Sequence, residues 1–339
     1  MPGLGEFELI RRFFERARPD PGRVPLGIGD DCALLDAGGP ELLAVSTDML
    51  VEGRHFLADV DPAALGHKAL AVNLSDLAAM GARPLGCTLA LALPVADAAW
   101  LEAFSGGLLA LADAHGCALV GGDTTRGPLN LCVTVLGTVS AADALRRDGA
   151  HAGDDLWVSG AIGAAAWAVR ARLDAGCWPA PGEPGPDGVD AASLAAARAR
   201  LERPGPRVAL GLALRGVARA AIDLSDGLVG DLGHLLDRSG AARGAALGAT
   251  LESPALPIDP ALSALPRDRR VALALSGGDD YELLFAADPS RRADVEAAAI
   301  RTGLTLSRIG RVDATPGIRL VEADGRTTIP NARSFDHFA

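Results

Sequence analysis

The sequence predicts a mixed α/β (α+β) fold of about two domains. Its 339 residues exceed one ordinary domain, and apolar segments with helical spacing alternate with short apolar runs of strand type along the whole chain. A third observation is that short Asp-centred turns recur where those runs end. With 49% apolar and 22% charged residues, the composition is globular and supplies sizeable cores.

Leu9, Ile10, Phe13 and Phe14 set a helix over Phe7–Arg16, which a Pro/Gly-rich bend at Pro19–Pro25 ends. Gly27–Asp31 reads as a turn, followed by a strand from Cys32 to Leu35 that pairs with Glu41–Asp48. Asp61–Pro62 opens a helix as N-cap and first-turn proline, and that helix runs to a stop near Gly81. Within it Asn73 and Asp76, three apart, share a face. Cys87–Leu93 is a strand closed by Pro94, Ala96–His115 a helix capped by Gly116, and Asn130–Thr138 an alternating strand. Ala118–Val120 leads into the Gly121–Arg126 motif.

The first domain is expected to span 1–140 and the second 141–339, with Leu145–Ala150 as the joint. The second half reads as strand Leu156–Ser159, helix Ile162–Leu173, a Pro/Gly-rich surface loop or locally disordered insertion at Trp178–Val189, helix Ala191–Leu201 and strand Ala220–Ile222. A helix from Leu228 follows, with Asp226 as its cap. Val271–Leu275 leads into a Gly–Asp motif, Tyr281–Ala286 is a strand, and a helix (Ala293–Thr302) and two strands complete the chain.

Six Asp-centred motifs stand out: Gly27–Asp31, Ser46–Asp48, Asn73–Asp76, Gly121–Arg126, Asp223–Gly227 and Ser276–Leu284. One such motif is an ordinary turn or helix cap. Six of them set carboxylates against apolar segments, where an acid must be paired, hydrogen-bonded or metal-bound. Hard cations such as Mg²⁺ take oxygen ligands and bridge to phosphates, and Gly-rich turns let backbone amides approach an anion. The pattern therefore predicts a polyphosphate site held through Mg²⁺ and assembled from both halves.

The formal net charge of −11 argues against nucleic acid or an anionic membrane as the main partner. There is no P-loop motif and no dinucleotide-binding glycine fingerprint. Cys32, Cys87, Cys117, Cys132 and Cys177 are odd in number and lack metal spacing, so they are expected as buried thiols in a reducing compartment. No apolar run is long enough to span a bilayer and no signal peptide is visible, which predicts a cytoplasmic protein.

In order along nearly the whole chain, Gly27–Leu35, Ser46–Asp48, His55–Phe56, Lys68–Ala82, Gly121–Gly127, Asp223–Leu228 and Ser276–Leu283 resemble the motifs of thiamine-monophosphate kinases. The resemblance implies ATP-dependent phosphorylation of thiamine monophosphate to thiamine diphosphate. It also implies the two-domain fold of aminoimidazole ribonucleotide synthetase, with the N-terminal sheets of a homodimer forming a barrel. Carried over, Asp30, Asp31, Ser46, Thr47, Asp48, Asp76, Asp123, Asp223 and Asp226 would hold Mg²⁺. Gly122, Asp123, Arg147 and Ser225 would contact ATP, and His55, Asp279 and Phe335 the acceptor. The family usually has Glu at the position of Asp279, and the Trp178–Val189 segment has no place in its pattern. The alternatives are a sister ATP-dependent synthetase of the same fold and a non-catalytic nucleotide- or metal-binding protein. Selenophosphate synthetase chemistry is disfavoured, because the single lysine, Lys68, lies inside the kinase-like helix.

Overall fold

The computed structural model describes residues 6–15, 20, 22–180 and 182–330. The first half comprises α1 (Glu6–Phe13), β1 (Ala33–Leu35), β2 (Leu42–Val51), α2 (Pro62–Ala79), β3 (Arg83–Leu93), α3 (Ala98–His115), β4 (Ala118–Arg126) and β5 (Asn130–Val139). Its five strands form one open sheet in the order β1-β2-β5-β3-β4, antiparallel except for the β3–β4 pair. The second half comprises β6 (Asp155–Ser159), α4 (Ala164–Ala175), α5 (Ala191–Glu202), α6 (Val208–Leu214), β7 (Ala220–Asp223), α7 (Leu228–Arg243) and β8 (Gly248–Glu252). It continues with α8 (Arg267–Ser276), β9 (Leu283–Ala287), α9 (Arg292–Thr302), β10 (Leu306–Asp313), β11 (Gly317–Val321) and β12 (Thr327–Thr328). Seven strands form its sheet, in the order β12-β11-β8-β10-β6-β9-β7.

Helix α2 is the spine. Asp61 accepts from the Ala64 amide at 2.8 Å and Pro62 takes the first turn, as the sequence predicts. Fourteen of its residues are buried, so it has no solvent stripe. Close crossings make this possible: a Cβ at Gly66 would stand 2.0 Å from the Phe104 carbonyl oxygen of α3, and one at Gly211 of α6 would stand 2.0 Å from that of Ala78. Around α2 the largest apolar core joins Leu70, Leu74 and Leu77 to Val133 and Val135 of the first sheet and to Phe285 of the second. Each such leucine contributes about 2 kcal/mol by burial.

Several local expectations are corrected. The Gly121–Arg126 motif is strand throughout, as the C-terminal part of β4, because it pairs residue by residue with Thr88–Leu93. Val271–Leu275, to which the sequence reading gave no element type, lies inside α8 and leads into the Gly–Asp motif as expected. The strand expected from Tyr281 begins at Leu283, since Asp279 and Tyr281 both adopt left-handed backbone, with φ of 67° and 49°. Asp226 is not the cap of α7: Gly227 holds that position, and the Asp231 carboxylate accepts from the Asp226 and Gly227 amides at 3.2 and 3.1 Å. Of the two readings of the Pro/Gly-rich segment, the surface loop agrees with its mostly exposed described residues, and the loop is pinned: Asp187 pairs with Arg269 at 2.7 Å, Val189 is fully buried, and the Arg198 guanidinium lies 4.8 Å from the Trp178 ring. Cys32, Cys87 and Cys117 are buried as expected, whereas Cys177 is exposed.

Candidate active site

The polar residues of α2 are the key to the site, because a helix buried on all sides must satisfy each of them. Asn73 Oδ1 accepts from the Asp48 amide at 3.1 Å, and Asp76 Oδ2 accepts from Ser46 Oγ at 2.5 Å. Both bonds go to β2, as the shared face predicts. Ser75 points the other way and donates to Asp223 Oδ2 at 2.7 Å, at the end of β7. Lys68 Nζ lies 2.8 Å from Asp279 Oδ1 and donates to the His55 carbonyl at 3.3 Å. One helix thereby aligns acids from both sheets.

Two loops of the second half are locked together by backbone. The amides of Asp279 and Tyr281 donate to the carbonyls of Ser225 and Leu224 at 2.9 and 2.8 Å. The glycines of these motifs permit the approach: a Cβ at Gly278 would lie 2.4 Å from the Ser225 carbonyl oxygen. Asp280 accepts twice from the Gly163 amide at 3.0 Å. Fully buried Glu282 is gripped by Arg207 through both its oxygens, by Ser159 Oγ at 2.6 Å and by Arg200 at 3.4 Å. These side chains anchor the loop, and none was among the predicted site residues.

The result is one cavity of about 1830 Å³ between the halves. Twelve predicted residues line it: Asp30, Asp31, Ser46, Thr47, Asp48, His55, Asp76, Arg147, Asp223, Ser225, Asp226 and Asp279. Carboxylate oxygens of Asp31, Asp76 and Asp223 lie within 4.8 Å of one another. Arg147 clasps Asp31 through Nε at 3.0 Å and Nη2 at 2.7 Å, while its amide donates to Asp30 at 3.0 Å. His55 Nδ1 accepts from the Val51 amide at 3.0 Å, which leaves the ring proton on Nε2.

Gly122 and Asp123 are not brought to this cavity by their own chain. Register places Asp123 opposite Ala90, Ala90 opposite Cys132 and Cys132 opposite Met49, so Asp123 sits three strands from β2, about 14 Å away. It also lies on the sheet face of Met49, opposite to that of Asp48. Every residue of β4 is exposed. Phe335 lies outside the described residues.

Electrostatics mark the centre. Burial, then the charges of Asp48, Asp223 and Asp31, pushes the Asp76 carboxyl well above the usual range. Asp223 is raised in the same sense by burial and by Asp31, and Asp30 is raised to about 7 by burial and by Asp31. Such groups hold protons where a cation would otherwise sit. The all-oxygen donor set suits a hard divalent cation. Beyond the cluster, burial and then Arg147 lower His234 to about 4, so this cavity residue is neutral at pH 7. Sequence reasoning missed Lys68, Asp231 and His234. Only Lys68 carried a signal, as the one lysine among 32 basic residues.

Residues 29–139 match the family described as AIR synthase related protein, N-terminal domain. Fold and site together define an α/β protein of that class, with a carboxylate-lined cleft between two sheets. The chain is 45% identical to the thiamine-monophosphate kinase of Salmonella typhimurium, over 99% of this chain and 98% of that one, and 44% identical to that of Escherichia coli over the same shares. The crystal structure of thiamine-monophosphate kinase from Stenotrophomonas maltophilia superimposes with a TM-score of 0.77 at 47% identity, covering 96% of this chain and 98% of that one. AaThiL complexed with AMPPCP and TMP superimposes with a TM-score of 0.80 at 28% identity, covering 98% and 97%. The chain belongs to the thiamine-monophosphate kinase family.

Proposed function

We propose that the protein phosphorylates thiamine monophosphate to thiamine diphosphate at the expense of ATP, in the cavity between its two sheets. The observation that carries this reading is the convergence of Asp31, Asp76 and Asp223 within 4.8 Å, beside Arg147, in a chain of this family. The neighbour complexed with AMPPCP and TMP supports a protein of this fold that takes both a nucleotide and TMP.

Asp30, Asp31, Ser46, Asp48, Asp76, Asp223 and Asp226 are the residues whose side chains would hold Mg²⁺; the Thr47 hydroxyl pairs with Thr134 at 2.9 Å on the other face of β2, so Thr47 would serve through its backbone carbonyl. When bound, the metal supplies charge neutralisation for phosphates that otherwise repel each other. The chain's own groups then bind and orient. Arg147, already ordered by Asp31, presents the positive charge that a donor phosphate needs, and Ser225, on the 223–227 loop, lines the same cavity. At the other end His55 and Asp279 meet the acceptor, joined through Lys68. The acceptor oxygen is ionised at neutral pH, so no general base is required. Transfer is direct and in line, with no phosphoenzyme.

A homodimer completes the site in this reading. Gly122 and Asp123 are too far from their own cluster to serve it, and β4 presents them on an exposed sheet edge. A second copy packing its sheet against the open face would close the barrel and deliver them. We further infer domains of 1–140 and 141–339, meeting at the cavity, and a cytoplasmic location. No helix among the described residues is long and apolar enough to cross a membrane.

Purified protein with ATP, Mg²⁺ and thiamine monophosphate, followed by phosphorus NMR, tests the reading. Thiamine diphosphate with equimolar ADP is expected. ADP with free phosphate, or no turnover, refutes the acceptor assignment.

A further inference from the structure

Of 32 basic residues in this chain, Lys68 alone is lysine. A composition that uses arginine everywhere else keeps an ammonium at one place, and that place is the wall of the cavity. The Lys68 side chain is 4% exposed and its Nζ lies 2.8 Å from Asp279 Oδ1. On α2, Lys68, Val72 and Asp76 follow at intervals of four and all line the cavity. The stripe runs from the carboxylate cluster at Asp76 to the acceptor end at His55, about 12 Å along the helix axis.

Asp279 needs a restraint. Its φ of 67° is a left-handed conformation that a non-glycine residue adopts at a cost, at the tip of a loop whose other acids are all anchored. The Asp279 amide is tied to Ser225, and Tyr281 Oη donates to Asp279 Oδ1 at 3.3 Å. Lys68 approaches that same oxygen, and Asp279 lines the cavity beside it. An ammonium is a compact charge on a slim stem and fits between α2 and the His55 carbonyl. A guanidinium carries five donors on a rigid plane and demands partners for all of them.

We propose that Lys68 is a positioning residue for the acceptor: it fixes the Asp279 carboxylate so that this acid meets thiamine monophosphate, and the position requires an amine rather than a guanidinium. This rests on the kinase reading above and on Asp279 as an acceptor contact.

The test compares the parent with Lys68→Ala, Lys68→Arg, Asp279→Ala and the charge-neutral pair Lys68→Met with Asp279→Asn, which guards against misfolding around one unpaired charge. Calorimetry gives the Kd for thiamine monophosphate, and steady-state kinetics gives KM for each substrate. For Lys68→Ala, the acceptor Kd and KM are expected to rise about tenfold, with KM for ATP within about twofold of the parent. Added ethylamine should restore part of that loss, guanidine should not, and Lys68→Arg should resemble Lys68→Ala. Equal shifts in both KM values, an unchanged acceptor Kd in Lys68→Ala or Asp279→Ala, or parent-like behaviour of Lys68→Arg would each overturn the proposal. Failure of the kinase reading is separate: the parent itself would then bind no thiamine monophosphate and form no diphosphate.

Discussion

Replacing Asp76 by Asn is expected to raise stability and abolish function together. Two unit charges at the 4.8 Å limit separating these oxygens repel by about 3.5 kcal/mol at an effective dielectric near 20. The metal-free protein lessens this by holding protons more readily on Asp76 and Asp223, whose carboxyls are raised by burial and by neighbouring acids, Asp48 and Asp31 among them. Asp76→Asn removes the remaining strain, and the amide oxygen still accepts from Ser46 Oγ. A gain of about 1–2 kcal/mol follows, typical of relieving a costly functional group. With an unfolding entropy of about 0.7 kcal/mol per kelvin for a chain of 339 residues, the midpoint should rise about 1.5–3 °C in chelator. Magnesium at a hundred times its Kd should then stabilise the parent by about 2.7 kcal/mol, close to 4 °C, and the variant hardly at all. Turnover of the variant should fall at least about a hundredfold. Thermal unfolding monitored with and without chelator, beside a coupled ADP assay, measures all three. A variant less stable than the parent in chelator, or one that keeps the magnesium-dependent rise and the turnover, would refute the carboxylate-cluster argument.

Arg207→Met leaves Glu282 buried without its principal partner and should cost about 3–5 kcal/mol, or about 4–7 °C in midpoint; adding Glu282→Gln should recover more than half, read by the same unfolding assay. Asp123→Asn should leave stability within about 0.5 kcal/mol, since the residue is exposed, yet suppress turnover. Mixing Asp123→Asn and Asp223→Asn subunits should restore up to about a quarter of parental activity if sites are shared across a dimer, and no restoration after subunit exchange would refute the shared site. Divalent-cation affinity should strengthen as pH rises through about 7, because Asp30 has its carboxyl raised to about 7 and, like Asp76 and Asp223, must release a proton to bind. Calorimetry at several pH values should detect that proton release, and pH-independent affinity would contradict it.

Much of the site was legible because its signals are local. Asp61–Pro62 names a helix start, Gly116 a helix end, and Asp next to Gly or a hydroxyl residue at the end of an apolar run names a place where a carboxylate is held for a reason. Those signals located ten of the twelve predicted residues that line the cavity, and the family resemblance supplied His55 and Arg147. Capping and loop anchoring were less legible. Asp231 replaces Asp226 in the α7 cap by reaching back from the first turn, and Glu282 was read as part of a strand although it is the buried anchor of its loop. The partners of Glu282, Arg207 and Ser159, lie far along the chain, which spacing does not encode, and the Asp231 bonds depend on the loop geometry before α7 rather than on residue type.

The sequence by itself determined the alternation of helices and strands, the acidic motifs and the kinship with thiamine-monophosphate kinases, since all of these reside in short stretches and their order. Only the tertiary structure decided which motifs meet. Ser46–Asp48 and Gly121–Arg126 are the same kind of motif, yet one faces the cavity and the other lies three strands away on the opposite face of the sheet. Strand order and the parity of register set that difference, and both follow from how α2 is buried between the two sheets rather than from any residue within either motif.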